Sequence, residues 1–176
     1  MRHSREGGFT LVEIMIVVAI IALLAAIAIP NVLRGRTTAN ESAAVGNIRA
    51  LVSSLEMARS VNNAYPALET WQATMYGANC TAGTAPDPDF GPPSFCLPTL
   101  NGGAADVVQG YIYDYTGVAA PGQTYTLLAV PQTLGTTGTR SFYADQTGLV
   151  RHCTGTATVA QAADESTIDA APTACD

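Results

Sequence analysis

The stretch GGFTLVEIMIVVAIIALLAAIAIP, residues 7–30, decides the fold because it is an apolar run with one charged residue, Glu13. Its 21 residues from position 9 to position 29 would form a helix of about 32 Å, the thickness of a bilayer's hydrocarbon core. A secretory signal has a shorter apolar core and a small-residue cleavage site after it, whereas Gly7 and Gly8 come before this run. We therefore expect a membrane-spanning helix that stays on the protein if the chain is cleaved after Gly8.

Glu13 is a carboxylate in an apolar setting, which costs free energy, though less near a helix end than at the bilayer centre. In the simplest interpretation it is an interfacial residue stabilised by the positive end of the helix dipole. Cleavage after Gly8 would also give Phe9 a free amine, four residues from Glu13 on the same helix face. Opposite charges attract strongly where water is excluded, and the amine can come from a neighbouring copy. Such a pair would fix the stagger of an assembly.

The sequence GFTLVE, residues 8–13, followed by the apolar run to Pro30, resembles the N-terminus of type IV pilins and of type II secretion pseudopilins. The resemblance implies that a prepilin peptidase cleaves after Gly8 and methylates the new N-terminal Phe9. It also implies that Glu13 is the family's glutamate and that the apolar helices of many copies bundle into a filament core. In this family, similar prolines accompany a loss of helix in the filament, so Pro30 is expected to be an assembly residue.

The pattern divides the chain into a cleaved leader, a hydrophobic transmembrane and filament-core helix, an amphipathic helix half and a globular head, at residues 1–8, 9–30, 31–63 and 64–176. Pro30 removes one helical hydrogen bond, which predicts a kink or a melted turn there. Otherwise one helix is expected from about Thr10 to about Asn62, because stop signals follow that position.

The amphipathic half has apolar residues at steps of three and four positions, which indicates one buried helix face. Its members are Val45, Ile48, Leu51, Val52, Leu55 and Ala58. The charged residues of the same segment are assigned to the opposite, polar face, and they are Glu41, Arg49, Glu56 and Arg59.

The head is expected to begin with a long loop, residues 77–106, rich in Gly, Pro and Asp. Four strands follow within a sheet at residues 110–153, bounded by Gly, Pro and a turn at 145–148. Their predicted ranges are 110–116, 123–131, 139–145 and 149–153. Short connections favour an antiparallel sheet, and packing it on the amphipathic helix gives an α+β, pilin-like fold.

Four cysteines lie in the head, at wide spacings and without a C-x-x-C motif, namely Cys80, Cys96, Cys153 and Cys175. An even number of dispersed cysteines after a membrane segment is typical of an oxidising compartment. Sequence order favours the pairs Cys80–Cys96 and Cys153–Cys175, but three connectivities are possible. The cysteines also indicate that the C-terminal part faces the oxidising, periplasmic side.

The remaining residues argue against several function classes. A net charge of −6 and the absence of lysine disfavour nucleic acid as a partner. His152 adjoins Cys153, but neighbours on a strand point to opposite faces, so the two do not form a nucleophilic pair. The spacings predict no zinc site and no catalytic residues. The D-x-D of Asp87 and Asp89 lacks the third ligand step of a calcium loop. The resemblance to pseudopilins, some of which bind calcium through C-terminal loops, makes Asp145, Asp164, Glu165 and Asp169 weak candidates, with solvated turns the better interpretation.

The sequence therefore predicts a structural subunit of a type IV pilus, without enzymatic activity or cofactor, serving adhesion, motility or surface attachment. Its expected partners are other copies of itself, the prepilin peptidase, the inner-membrane assembly machinery and, before assembly, the membrane. Its expected location is the inner membrane with a periplasmic C-terminus, and then an extracellular pilus or a periplasmic pseudopilus. Two alternatives stay open: a pseudopilin of a type II secretion system, and a signal-anchored periplasmic enzyme or binding module.

Overall fold

The computed structural model describes residues 9–77, 90–98, 100–101, 107–117 and 122–154. Two compact units divide the chain, Met1–Arg36 and Thr37–Asp176. Helix α1, Leu11–Asn62, begins in the first unit and ends in the second, so the predicted long helix is confirmed. Pro30 lies inside α1, and residues 26–30 are helical. The melted turn predicted at Pro30 is therefore not formed here.

The first unit is the apolar part of α1. Its large apolar side chains between Leu11 and Leu33 are each 50–74 % exposed. By length and composition, α1 holds a segment able to cross a membrane. An apolar surface this large is typical of a segment that is covered by lipid or by other protein.

The second unit contains a five-stranded antiparallel sheet in the order β1-β2-β3-β4-β5. The strands are Val107–Val108, Tyr111–Gly117, Tyr125–Pro131, Arg140–Asp145 and Val150–Thr154. The last four confirm the predicted strands to within two residues at each end. Strand β1 was missed because it has only two residues and its two-residue turn to β2 is Gln109-Gly110, with positive φ at both positions. Asn or Asp before the Gly is the usual signal for such a turn.

The core lies between the sheet and the second half of α1. Tyr111, Tyr113 and Tyr115 alternate on one face of β2 and are fully buried, as their period of two predicts. They form one cluster with the buried face of α1, whose apolar members are Ala44, Ile48, Leu51, Leu55 and Ala58. This confirms the α+β arrangement. The buried face is rotated slightly from the predicted one, because Val45 and Val52 are only partly buried.

Short helices cover the end of the sheet where α1 stops. They are a 3-10 helix at Leu68–Thr70, helix α2 at Trp71–Tyr76 and a 3-10 helix at Pro93–Phe95. The ring centroid of Trp71 lies 4.6 Å from that of Tyr115, and the ring of Phe95 lies 4.7 Å from that of Tyr113. The predicted loop at 77–106 is thus partly a core element, because Phe95 and Leu100 are fully buried.

Candidate functional site

Glu13 is held at the start of α1 by Thr10. The Thr10 amide and hydroxyl both donate to Glu13 Oε2, at 2.9 Å each. In return the Glu13 amide donates to Thr10 Oγ1 at 3.2 Å. This reciprocal pattern is a capping box, in which the N-cap residue and the third helical residue each satisfy the other's amide. The sequence contains its T-x-x-E signature, so Thr10 was recognisable as a partner of Glu13 from the sequence.

The capping box leaves one carboxylate oxygen of Glu13 available. Both bonds from Thr10 go to Oε2, and within the described residues Oε1 accepts no hydrogen bond. Phe9 is 84 % exposed, and Gly8 lies outside the described residues. The carboxylate is therefore oriented by its own chain while one oxygen faces the surroundings of the helix.

Glu41 is a buried carboxylate of the head, which corrects its assignment to the polar face of α1. Its side chain is 7 % exposed. The amide and hydroxyl of Thr139 donate to its Oε1 at 2.8 and 2.6 Å. The Arg140 guanidinium donates twice to Oε2, from Nε at 2.9 Å and from a terminal nitrogen at 2.6 Å.

These four bonds connect α1 to the start of β4. They also stabilise the ionised form of a carboxyl group that burial alone would neutralise. Burial of Glu41 works against its charge, but the bonds from Thr139 and Arg140 outweigh it and hold the pKa of the carboxyl below its ordinary value. Sequence reasoning missed this role because it sorted the residue by charge. The spacing indicates burial, because Glu41 lies three and seven positions before the buried Ala44 and Ile48 and therefore on the same helix face.

A cleft of about 420 Å³ opens beside this contact, between α1 and the strands β4 and β5. Ser42, Val45 and Arg49 line it from α1, and Phe142, Val150 and His152 line it from the strands. The cleft is thus lined by apolar side chains together with polar and charged ones. Phe142 lies under the Arg140 guanidinium, with 5.9 Å between the guanidinium carbon and the ring centroid.

The two described cysteines lie in different hydrophobic clusters. Cys96 belongs to the cluster shared with α1, and Cys153 belongs to a cluster with Leu128, Val130 and Tyr143. Neither of them is a free cysteine. Cys80 and Cys175 lie outside the described residues, and the favoured pairing stays a prediction.

Neighbouring residues on β5 point to opposite faces, as predicted. His152 lines the cleft on the helix side and lies 6.5 Å from Phe142 between ring centroids, whereas Cys153 belongs to the other cluster. Across the described ranges, no group of three or more His, Cys, Asp or Glu side chains is placed to hold a metal ion. Asp145 is 4 % exposed and its Oδ1 accepts from the Thr147 amide at 2.8 Å, so it is a turn residue. Asp87, Asp164, Glu165 and Asp169 lie outside the described residues.

These features define a class of protein: an α+β head that follows an exposed apolar helix with an oriented glutamate at its start. Comparison with known proteins supports a family within that class. Residues 3–29 match the prokaryotic N-terminal methylation motif. The motif and the relatives described next support the type IV pilin and type II secretion pseudopilin family, as the N-terminal residues predicted.

The similarity to curated relatives covers less than two fifths of the chain. It is 39 % identical over 69 residues to the type II secretion system core protein G of Aeromonas hydrophila, covering 39 % of this chain and 48 % of that protein. It is 45 % identical over 65 residues to the type IV wide pilus major component PilA4 of Thermus thermophilus, covering 37 % and 48 %. The chain spans about half the length of the curated relatives it matches. No solved structure matches.

Proposed function

We propose that this chain is the structural subunit of a type IV pilus filament that serves adhesion, motility or surface attachment. The observation that carries the proposal is the apolar surface of α1 between Leu11 and Leu33, which is half or more exposed along its whole length. Such a surface requires lipid before assembly and the helices of other copies afterwards. Prepilin peptidase would cleave after Gly8 and methylate Phe9, and inner-membrane assembly machinery would move the subunit into the filament.

Glu13 sets the register of the filament in this proposal. Thr10 occupies Glu13 Oε2, so the amine of Phe9 in a neighbouring copy can approach Oε1. Removing an ammonium and a carboxylate from water costs free energy, and their attraction offsets this cost only when the two groups are well aligned. Orientation of the carboxylate by the capping box lowers that cost, because less side-chain freedom is lost on pairing. Pro30 would allow α1 to change conformation as the copies pack.

The predicted disulfides support a periplasmic head during the membrane stage. Sequence order favours the pairs Cys80–Cys96 and Cys153–Cys175. Disulfides form and persist in an oxidising compartment. The subunit is therefore proposed to have its C-terminus in the periplasm and then to enter an extracellular filament.

A periplasmic pseudopilus is the second candidate, because type II secretion core protein G is among the relatives that the chain matches. That match covers 39 % of the chain, and a pilus component matches over a similar length. Deleting the native gene separates the candidates. Loss of sheared surface fibres with normal protein secretion supports the pilus, and the reverse result supports the pseudopilus.

Catalysis is not part of the proposed function. The opposing class, a signal-anchored enzyme or binding module, would need convergent polar side chains in a cleft. The arginines that line the described cleft are Arg49 and Arg140, and Arg140 is engaged by Glu41. The family that the N-terminal part supports is a structural one.

Substitution of Glu13 by Ala tests the filament proposal. We expect the Glu13→Ala subunit to reach the membrane at the wild-type level but to give far fewer fibres in a shearing assay. Glu6→Ala is the matched control, because Glu6 belongs to the leader that cleavage would remove. If processing, fibre yield and surface attachment all survive Glu13→Ala unchanged, the proposal fails.

A further inference from the structure

Arg49 is an exposed cation in the cleft between α1 and the strands β4 and β5. The other arginine there, Arg140, is bonded to Glu41. Within the described part of the chain Arg49 makes no ion pair. The whole sequence has a net charge of −6 and no lysine, so a free cation beside apolar side chains is a distinctive place for an acidic partner to bind.

An exposed acid lies at the other end of the head. Glu69 belongs to the 3-10 helix Leu68–Thr70, just beyond the end of α1, and within the described residues it has no ion-pair partner. From Arg49 to Asn62, α1 rises by roughly 20 Å at 1.5 Å per residue. Glu69 lies beyond the end of α1, and Arg49 and Glu69 form no ion pair within one head.

We propose that the cleft receives the Leu68–Thr70 corner of a second copy of this chain, with Glu69 of that copy paired to Arg49. The inference rests on the proposed filament function. A contact between two different surfaces is heterologous, and when it does not close into a ring it propagates as a helical filament. Val45, Phe142 and Val150 line the cleft beside Arg49, so an occupant that covers them would remove water from the pair and strengthen the attraction.

Charge reversal in the full chain tests this contact through fibre yield. Arg49→Glu and Glu69→Arg each place like charges in the interface, and each is expected to lower the yield of sheared fibres about tenfold or more. The double variant with both changes is expected to restore most of the yield. Arg49→Lys keeps the charge and is expected to assemble. Subunit level in the membrane fraction confirms that each variant folds and is processed.

A second double variant identifies the partner of Arg49. Arg49→Glu combined with Glu165→Arg has the same net charge as the first double variant but alters the acidic C-terminal tail. If this combination restores fibres and the Glu69 combination does not, the tail occupies the cleft and the proposal is overturned.

Two further outcomes separate this contact from the filament proposal. If the wild-type chain forms fibres and neither single variant lowers the fibre yield, the contact is overturned but the filament function is not. An effect of Arg49→Glu without any effect of Glu69→Arg would also overturn it, in favour of a small anion or another protein. Absence of fibres from the wild-type chain in its native host would overturn the filament function and the contact together.

Discussion

Thr10 positions the carboxylate of Glu13, and its substitution separates orientation from charge. Thr10→Ala removes the hydroxyl that accepts from the Glu13 amide and donates to Oε2. Loss of an N-cap side chain costs about 0.5–2 kcal/mol of helix stability. We expect Thr10→Ala to reduce fibre yield although Glu13 is intact, because the first turn frays and the carboxylate becomes mobile.

Thr10→Ser is the matched control for that experiment. Serine keeps the capping hydroxyl and is among the preferred N-cap residues, so its fibre yield should equal that of the wild type. Equal yields from the Ala, Ser and wild-type chains would mean that the capping box plays no part in assembly.

Glu41 is the second residue whose role is electrostatic, and here the effect is on the stability of the head. Glu41→Ala leaves Thr139 and Arg140 without their acceptor, at an expected cost of about 1–3 kcal/mol in the free energy of unfolding. Urea unfolding in detergent, followed by fluorescence, measures it. The sole tryptophan, Trp71, is 1 % exposed and reports on the core. Glu69→Ala removes an exposed glutamate and should shift stability by no more than about 0.5 kcal/mol.

Acid titration gives an independent test of Glu41. Its pKa in the folded head lies below the ordinary value, so the unfolded chain binds more protons than the folded one between those two values. The stabilisation is fully present above the unfolded pKa of about 4.3 and is lost as pH falls through the folded pKa. Unfolding midpoints of wild type and Glu41→Gln should therefore converge as pH falls below about 4. A constant difference down to pH 2 would contradict the mechanism.

At the scale of elements, substitution by alanine is expected to have opposite effects on the stability of the head at two glycines. Gly46 is in the interior of α1, where an added Cβ would meet nothing within 4 Å. Gly46→Ala should stabilise the head by about 0.5–1 kcal/mol, because alanine loses less backbone entropy in a helix. At Gly138 an added Cβ would lie 2.1 Å from the Tyr111 hydroxyl oxygen. Gly138→Ala should therefore destabilise the head.

The same urea titrations measure both glycine variants. A destabilising Gly46→Ala would indicate that α1 needs a glycine there for a reason outside the described contacts. A neutral Gly138→Ala would mean that Tyr111 moves freely, although its hydroxyl donates to the Arg140 carbonyl at 2.9 Å.

The elements with the clearest sequence signal are those whose apolar pattern repeats over many residues. The steps of three and four in α1 and the alternating tyrosines of β2 report burial over many residues. Strand β1 was missed because two residues do not complete an alternating pattern. The short helices after α1 were missed because their three to six residues are fewer than two helical turns. Thr10 and Glu41 had readable signals, a T-x-x-E motif and a position in phase with the core. The partners of Glu41 were not readable, because Thr139 and Arg140 lie almost a hundred residues away.

At the scale of the whole molecule, the hydroxyl groups of buried tyrosines in β2 form hydrogen bonds between the sheet and other parts of the head. Tyr115 donates to the Pro66 carbonyl at 2.6 Å, and Asn47 of α1 donates to the Tyr113 hydroxyl at 3.1 Å. Burial raises the pKa of Tyr113 to about 12, so the ring stays neutral at physiological pH. The head is thus bonded to its own part of α1 by polar as well as apolar contacts.

A head with its own core should fold without the apolar half of α1. Among the described residues, the core cluster draws only on those from Ala44 onward, and the second compact unit begins at Thr37. A chain of residues 37–176 is therefore expected to be soluble without detergent and to unfold cooperatively, whereas the full chain should need detergent. Gel filtration, near-ultraviolet circular dichroism and Trp71 fluorescence measure these properties.

A shorter chain that begins at Ser54 provides the contrast, because it lacks Ala44, Ile48 and Leu51 of the core. Truncation of large core side chains costs about 2–5 kcal/mol each, and typical domains are stable by only about 5–15 kcal/mol. This chain should therefore fail to fold. If residues 37–176 also lack a near-ultraviolet signal, the head depends on the apolar helix for its structure. The two halves of α1 would then not be separable into an assembly element and a folding element.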